Sequence, residues 1–177
     1  MNIICAGFGG QGVLTAGLIL GKTATETGKH VTWIPSYGSE MRGGTANCSI
    51  KISETKIASP FIKEIDILIA MNQPSVDKFE GAVKPGGLIV VNSSMVKDHV
   101  FRKDVRVIQV DAAAIAEELS NPRGANLAML GGLAAAGILM DAETIRDGLN
   151  RFFDEKGKNS PQNGRCFDLG MENARQG

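Results

Sequence analysis

An excess of charge of either sign is missing from this chain. Lysine plus arginine and aspartate plus glutamate each number 19 in 177 residues, and no stretch gathers the basic ones into a stripe. Aromatic residues reach only 5%. With neither excess positive charge nor stacking side chains, a nucleic-acid surface is not expected. Cysteine is scarce too. Cys5, Cys48 and Cys166 form no C-x-x-C spacing, which argues against a zinc site or iron–sulfur cluster held by this chain alone. His30 and His99 are the only histidines, too few and too separate for a metal site. No apolar run is long enough for a membrane span. The chain opens in an apolar strand without a charged leader, so no membrane contact and a cytoplasmic location are the expectation.

What is present suits one globular domain over residues 1–177. A chain of this length buries roughly 70% of the surface its unfolded form exposes, and so needs no disulfide or metal to fold. Hydrophobic residues make up 43% and charged residues 21%, ordinary values for such a domain. Glycine is plentiful at 22 residues, and its clustering in loops suggests backbone approaching a ligand or another backbone. Cys5 and Cys48 lie in apolar strand patterns and read as buried thiols. Cys166 falls in a polar tail, a position open to solvent.

Along the chain, Asn2–Ala6 reads as a buried strand that runs into a glycine loop. Val13, Ala16, Leu20 and Ala24 then recur at helical steps, and Gly28 stops the helix. His30–Ile34 is a second strand, giving a βαβ unit with a right-handed crossover. Thr45–Ile52 alternates, with Ala46, Cys48, Ile50 and Ile52 on one face, and turns at Ser53–Lys56 toward a short partner, Ile57–Ser59. Asp66–Met71 is a continuous apolar run typical of a central parallel strand. Pro74 suits the first turn of a helix. Lys84–Gly87 reads as a turn before strand Leu88–Val91. Val105–Val110 is another strand, after which Asp111 caps helix Ala112–Leu119. Leu127–Met140 is apolar nearly all round and carries Gly131, Gly132 and Gly137. Such a helix is buried in a core or against another chain, and a close helix contact would offset the propensity lost at its glycines. From about residue 154 the chain is polar, a tail that would order by docking. The expected fold is a three-layer α/β domain. Its sheet is mostly parallel and Rossmann-like, with helices on both faces and a short antiparallel hairpin.

The loop Gly7-Phe8-Gly9-Gly10-Gln11-Gly12 satisfies G-x-G-x-x-G, the dinucleotide fingerprint. Its backbone N–H groups at the start of a helix form a generic site for a phosphate or carboxylate. An NAD site also requires an acid at the end of the second strand for the ribose hydroxyls. Ile34-Pro35-Ser36-Tyr37 supplies none; Glu40 comes six residues after Ile34. Val83–Leu88 resembles a late turn of Rossmann-like methyltransferases, which meet the same objection.

A second constellation, Ser36-Tyr37-Gly38-Ser39-Glu40-Met41-Arg42-Gly43-Gly44-Thr45, follows the second strand. It therefore belongs at the same carboxyl edge of the sheet as the glycine loop, where open α/β folds place ligands. Arg42 can clamp a carboxylate or phosphate in a bidentate fork; the plainer reading pairs Glu40 and Arg42 as loop charges. Taken together, Gly7–Val13 and Ser36–Cys48 resemble the gamma subunit of 2-oxoacid:ferredoxin (acceptor) oxidoreductases. The patterns are G-x-G-G-Q-G-V and S-Y-G-x-E-x-R-G-G-x-x-x-C. The likeness continues through Asp66–Asn72, Lys84–Gly87 and Leu130–Gly137, covering nearly the whole chain.

That resemblance implies a subunit of a complex converting a 2-oxo acid, coenzyme A and oxidised ferredoxin to acyl-CoA, carbon dioxide and reduced ferredoxin. Thiamine diphosphate with magnesium and the iron–sulfur clusters would lie on or between other chains, none of them bound by this chain alone. The implied partners are alpha and beta subunits, with a delta subunit as a further candidate, and ferredoxin as the acceptor of the complex. The isolated chain would be inactive, contributing no catalytic residue, and could self-associate as a homodimer. Gly7, Gly9, Gly10, Gln11, Gly12, Ser36, Tyr37, Glu40, Arg42, Gly43, Gly44 and Asn72 are the candidates for a binding or subunit-facing surface that shapes the approach of coenzyme A. Which 2-oxo acid is used is not written in this chain; the overall look leans to 2-oxoglutarate. A stand-alone NAD- or S-adenosylmethionine-binding enzyme and a non-enzymatic α/β assembly module are the competing readings.

Overall fold

The computed structural model describes residues 1–38 and 44–177. Among the described residues, seven strands form one sheet in the order β2-β3-β1-β4-β5-β6-β7. They are β1 (Asn2–Phe8), β2 (His30–Tyr37), β3 (Thr45–Ser53), β4 (Ile65–Ala70), β5 (Val83–Asn92), β6 (Arg106–Val110) and β7 (Arg175–Gln176). The helices are α1 (Val13–Glu26), α2 (Gln73–Phe79), α3 (Ala112–Glu118), α4 (Ala125–Ala135), α5 (Ala142–Asp154) and α6 (Pro161–Glu172). The centre β1-β4-β5-β6 is parallel, whereas β2, β3 and β7 join by antiparallel pairs. None of these helices is long and apolar enough to cross a membrane.

The helical layers are unequal. The larger core lies between the sheet and α1, α3, α4, α5 and α6. The opposite face is covered by α2 through Val76 and by the segment around Val96. Beyond their reach, the second face of β3 shows half-exposed Asn47, Ser49 and Lys51. The alternation expected of β3 is present, with Ala46, Cys48, Ile50 and Ile52 buried on the α1 side.

Several local expectations change. β1 and β2 flank α1 but do not pair, because β3 inserts between them, antiparallel to both. With both edges of β3 taken, no edge remains for Ile57–Ser59, which forms no strand; the antiparallel hairpin is β2–β3 instead. Lys84–Gly87 is not a turn but part of β5. Gly86 takes φ +75 there, and the pairing with β4 slips register between Ile65 and Ile67. Asp111 begins α3 without a side-chain cap of its own. Ser94 does the capping: its Oγ accepts from the N–H of Ala113 at 3.2 Å and Ala114 at 3.3 Å while donating to Asp111.

The glycine-bearing apolar helix is shorter than expected, ending at Ala135 before Gly137 at φ +63. It is buried against α6 of the same chain. A Cβ on Gly131 would fall 2.0 Å from the Phe167 carbonyl oxygen, and one on Gly170 2.0 Å from that of Ala128. These glycines let two backbones touch. The segment after 154 therefore contains a helix that completes the core, and Cys166 on it is fully buried rather than open to solvent. Burial pushes the Cys166 thiol up, against an opposing contact from Asn121.

Candidate functional site

β1 ends in a turn that holds itself. The Gln11 N–H donates to the Phe8 carbonyl at 3.1 Å, and Gln11 Oε1 accepts from the Phe8 N–H at 2.7 Å. Gly7 provides the room for this, since a Cβ there would come 2.7 Å from Gln11 Oε1. Gly10 and Gly12 take φ +98 and +72, values that favour glycine. The Gly9 N–H donates to Gly44 O at 3.0 Å, tying the loop to the residue before β3. Of the loop N–H groups expected to face an anion, those of Gly9 and Gln11 are thus already engaged. What remains is the start of α1, which has no side-chain cap, so its first N–H groups lack intrahelical partners.

Gln11 Oε1 also accepts from Asn72 Nδ2 at 3.0 Å. Asn72 caps α2, its Oδ1 accepting from the Ser75 N–H at 3.0 Å and Ser75 Oγ at 2.7 Å. Asn92 at the end of β5 donates to the Met71 carbonyl at 3.3 Å. The carboxyl ends of β1, β4 and β5 are therefore linked by side-chain amides into one rigid edge. On the far side of the loop, Asn126 in the first turn of α4 donates to Gly12 O at 2.9 Å. Among the described residues its Oδ1 is buried without a partner.

Two clefts open on this edge. The first, of about 500 Å³, includes Gln11, Met71, Asn92 and Met95 in its lining. It sits outside β1, β4 and β5, where strand order diverges on either side of β1, the usual place for a ligand in an open α/β sheet. The second, of about 520 Å³, lies between the start of α1 and the end of α5, with Tyr37, Asn126, Phe153, Lys156 and Lys158 in its lining. Gly10 and Arg123 border both. Among the described residues, Arg123 and Lys158 make no ion pair, and no carboxylate lines the second cleft. Lys156 Nζ stands 4.3 Å over the Phe152 ring. The result is a cationic, partly aromatic recess beside an uncapped helix N-terminus, able to receive an anion attached to an apolar body.

The candidate residues divide accordingly. Gly9 and Gly44 meet across 3.0 Å, and Gln11 and Asn72 meet across 3.0 Å. Gly10, Gly12 and Tyr37 line the second cleft, with Tyr37 71% exposed. Ser36 precedes Tyr37 on β2, so its side chain points to the opposite face of the sheet. Glu40, Arg42 and Gly43 lie outside the described residues. Asn92, Ser94, Arg123, Asn126, Lys156 and Lys158 had not been anticipated. Asn126 carried a readable signal, a lone amide on the helical side of Gly124 just before the apolar run.

The strand order adds a second objection to a dinucleotide. In that fold the strand bearing the acid lies beside β1, whereas here β3 separates β2 from β1 and moves its end one strand spacing, about 4.8 Å, farther away. No acid occurs in His30–Gly38 either.

Comparison with known proteins bears on the same question. A model of the pyruvate ferredoxin/flavodoxin oxidoreductase family matches residues 2–173. The ketoisovalerate oxidoreductase subunit VorA of Methanothermobacter marburgensis is 41% identical over 99% of this chain, which spans only 37% of that protein's length. The 2-oxoglutarate synthase subunit KorC of Methanothermobacter thermautotrophicus is 34% identical, with 98% of this chain and 97% of that protein covered. Among solved structures, a 2-oxoglutarate:ferredoxin oxidoreductase from Magnetococcus marinus, with 2-oxoglutarate, coenzyme A and succinyl-CoA bound, superposes at a TM-score of 0.86. It covers 97% of this chain and 30% of its own, at 22% identity, a likeness of fold alone. On the family match, which runs almost end to end, this chain belongs to the pyruvate ferredoxin/flavodoxin oxidoreductase family.

Proposed function

We propose that the chain is the gamma subunit of a 2-oxoacid:ferredoxin oxidoreductase, the complex that couples oxidative decarboxylation of a 2-oxo acid to acyl-CoA formation. The observation that carries this reading is the near end-to-end correspondence with KorC, a subunit of similar extent. Alpha and beta chains, with a delta chain where present, would carry thiamine diphosphate, magnesium and iron–sulfur clusters and pass electrons to ferredoxin. This chain's own residues do a different task. The amide-linked edge Gln11, Asn72 and Asn92 keeps the glycine loop fixed. Tyr37, Arg123, Lys156 and Lys158 present cations and an aromatic ring where an anionic part of coenzyme A would approach the catalytic chains. Arg42, two residues before Gly44 in sequence, is a further candidate for that anion.

The division of labour is tested by purification. The isolated chain should oxidise no 2-oxo acid and bind no NAD tightly. Affinity-tagged in its native host, it should recover chains that bear thiamine diphosphate and iron–sulfur clusters. Tight NAD binding by the free chain would instead favour a stand-alone enzyme, and recovery of the chain without such partners would favour an assembly module of another kind.

A further inference from the structure

Cys48 closes the second sequence motif, yet nothing in the proposed subunit role uses its thiol. The pairing of β1 with β3 sets Cys48 directly opposite Cys5. Opposed residues on neighbouring antiparallel strands stand about 4.5–5.5 Å apart at Cα, inside the window of about 4.4–6.8 Å that a disulfide bridges. Both cysteines are free, fully buried, and part of the core beneath α1.

The surroundings of Cys48 are polar for a core thiol. Its Sγ donates to the Val13 carbonyl oxygen in the first turn of α1, at 3.5 Å. Gly17 makes the space: a Cβ there would lie 2.4 Å from Cys48 Sγ and 3.1 Å from Trp33 Nε1. Among the described residues that indole N–H is buried without a hydrogen-bond partner. A thiol and an indole N–H therefore flank one sulfur. The Cys5 thiol holds Cys48 below the ordinary thiol range against the opposing effect of burial, with Trp33 adding to the lowering. Cys5 is pushed up by Cys48 and by burial. Cys48 is therefore the sulfur set in the more polar surroundings, with Cys5 directly across the strand pair from it.

We propose that Cys5 and Cys48 form an oxidisable dithiol that a small peroxide converts into a cross-strand disulfide. The Cys48 sulfur attacks one peroxide oxygen; an S–O bond forms, the O–O bond breaks, and the departing oxygen takes the Cys48 proton and leaves as water. The Cys5 sulfur then attacks the sulfenic sulfur. An S–S bond forms, the S–O bond breaks, and the second oxygen leaves as water with the Cys5 proton. The two thiols lose two electrons and hydrogen peroxide is reduced to two waters. Closure draws the Cys48 sulfur away from Val13 O, at the foot of the helix that follows the glycine loop.

The test uses the full chain in its native state. After hydrogen peroxide treatment and quenching, alkylation in denaturant should count one free thiol per chain where the untreated protein has three. Proteolysis without reductant should release one Cys5–Cys48 linked peptide, two hydrogens lighter than its parts and separated by dithiothreitol. Cys166→Ser should give the same link, and a bulky maleimide should label none of the native thiols. Retention of three thiols, a link through Cys166, or oxidation of Cys48 to sulfinic acid with Cys5 intact would overturn the proposal. In Cys48→Ala, Cys5 should become unreactive toward peroxide; undiminished oxidation of Cys5 there would also overturn it.

Discussion

Replacing Gly170 with alanine should lower the melting temperature of the chain by about 4–8 °C. The new methyl would fall 2.0 Å from the Ala128 carbonyl oxygen, and that atom belongs to the backbone of a buried helix, so it cannot swing aside. Overpacking of this kind costs about 3 kcal/mol at the upper end of its usual range. Alanine recovers about 1 kcal/mol of helix propensity, leaving a net loss of about 2 kcal/mol, which is about 4–8 °C for a chain of this size. Gly131→Ala should behave alike, since its methyl would meet the Phe167 carbonyl oxygen at 2.0 Å. Gly81→Ala serves as the control, because a Cβ there meets nothing within 4 Å. Thermal unfolding followed by circular dichroism decides it. An unchanged melting temperature in both helix variants would mean that α4 and α6 do not touch at these glycines.

The second large effect concerns the site. Gly12→Ala should damage function more than it damages folding. The left-handed conformation at φ +72 costs an alanine about 1–2 kcal/mol, and its methyl would come 2.6 Å from Asn126 Nδ2. Asn126 must then give up its 2.9 Å hydrogen bond to Gly12 O, and the wall shared by the glycine loop and α4 shifts. At Gly10, with φ +98 but nothing within 4 Å of a Cβ, alanine strains the backbone without pushing on a neighbour. In the assembled complex, Gly12→Ala should therefore raise the apparent KM for coenzyme A several-fold, beyond the rise given by Gly10→Ala. Steady-state kinetics on the two variants would show this, and equal effects at both positions would place the cleft elsewhere.

How much of this was legible in sequence depended on the reach of each signal. The glycine loop, α1 and the alternation of β3 are local patterns and read correctly. The place of β3 between β2 and β1 is not local. Its neighbours are fixed by tertiary pairing, so a sequential βαβ reading put β1 beside β2. α6 hid for another reason. Asn163, Cys166, Phe167 and Gly170 are its buried residues, together with Gly164, and they recur at helical steps. Of these five only Cys166 and Phe167 bring an apolar side chain, so the stripe looked like tail. Ser160 and Pro161, an N-cap and a first-turn proline, were the overlooked start signal. In the site, the glycines marked the loop, while Arg123 and Lys158 come from distant segments and only the fold brings them together.

If the proposed role is right, a 2-oxo acid oxidoreductase needs this chain although its redox chemistry lies on other chains. The most direct measurement is coenzyme A-dependent reduction of ferredoxin by the catalytic chains, prepared with and without this one and supplied with 2-oxoglutarate, pyruvate or 2-oxoisovalerate in turn. Acyl-CoA should form with one of these acids when the chain is present, be lost when it is omitted, and return when it is added back. Undiminished acyl-CoA formation without the chain would mean that the catalytic chains do not need it.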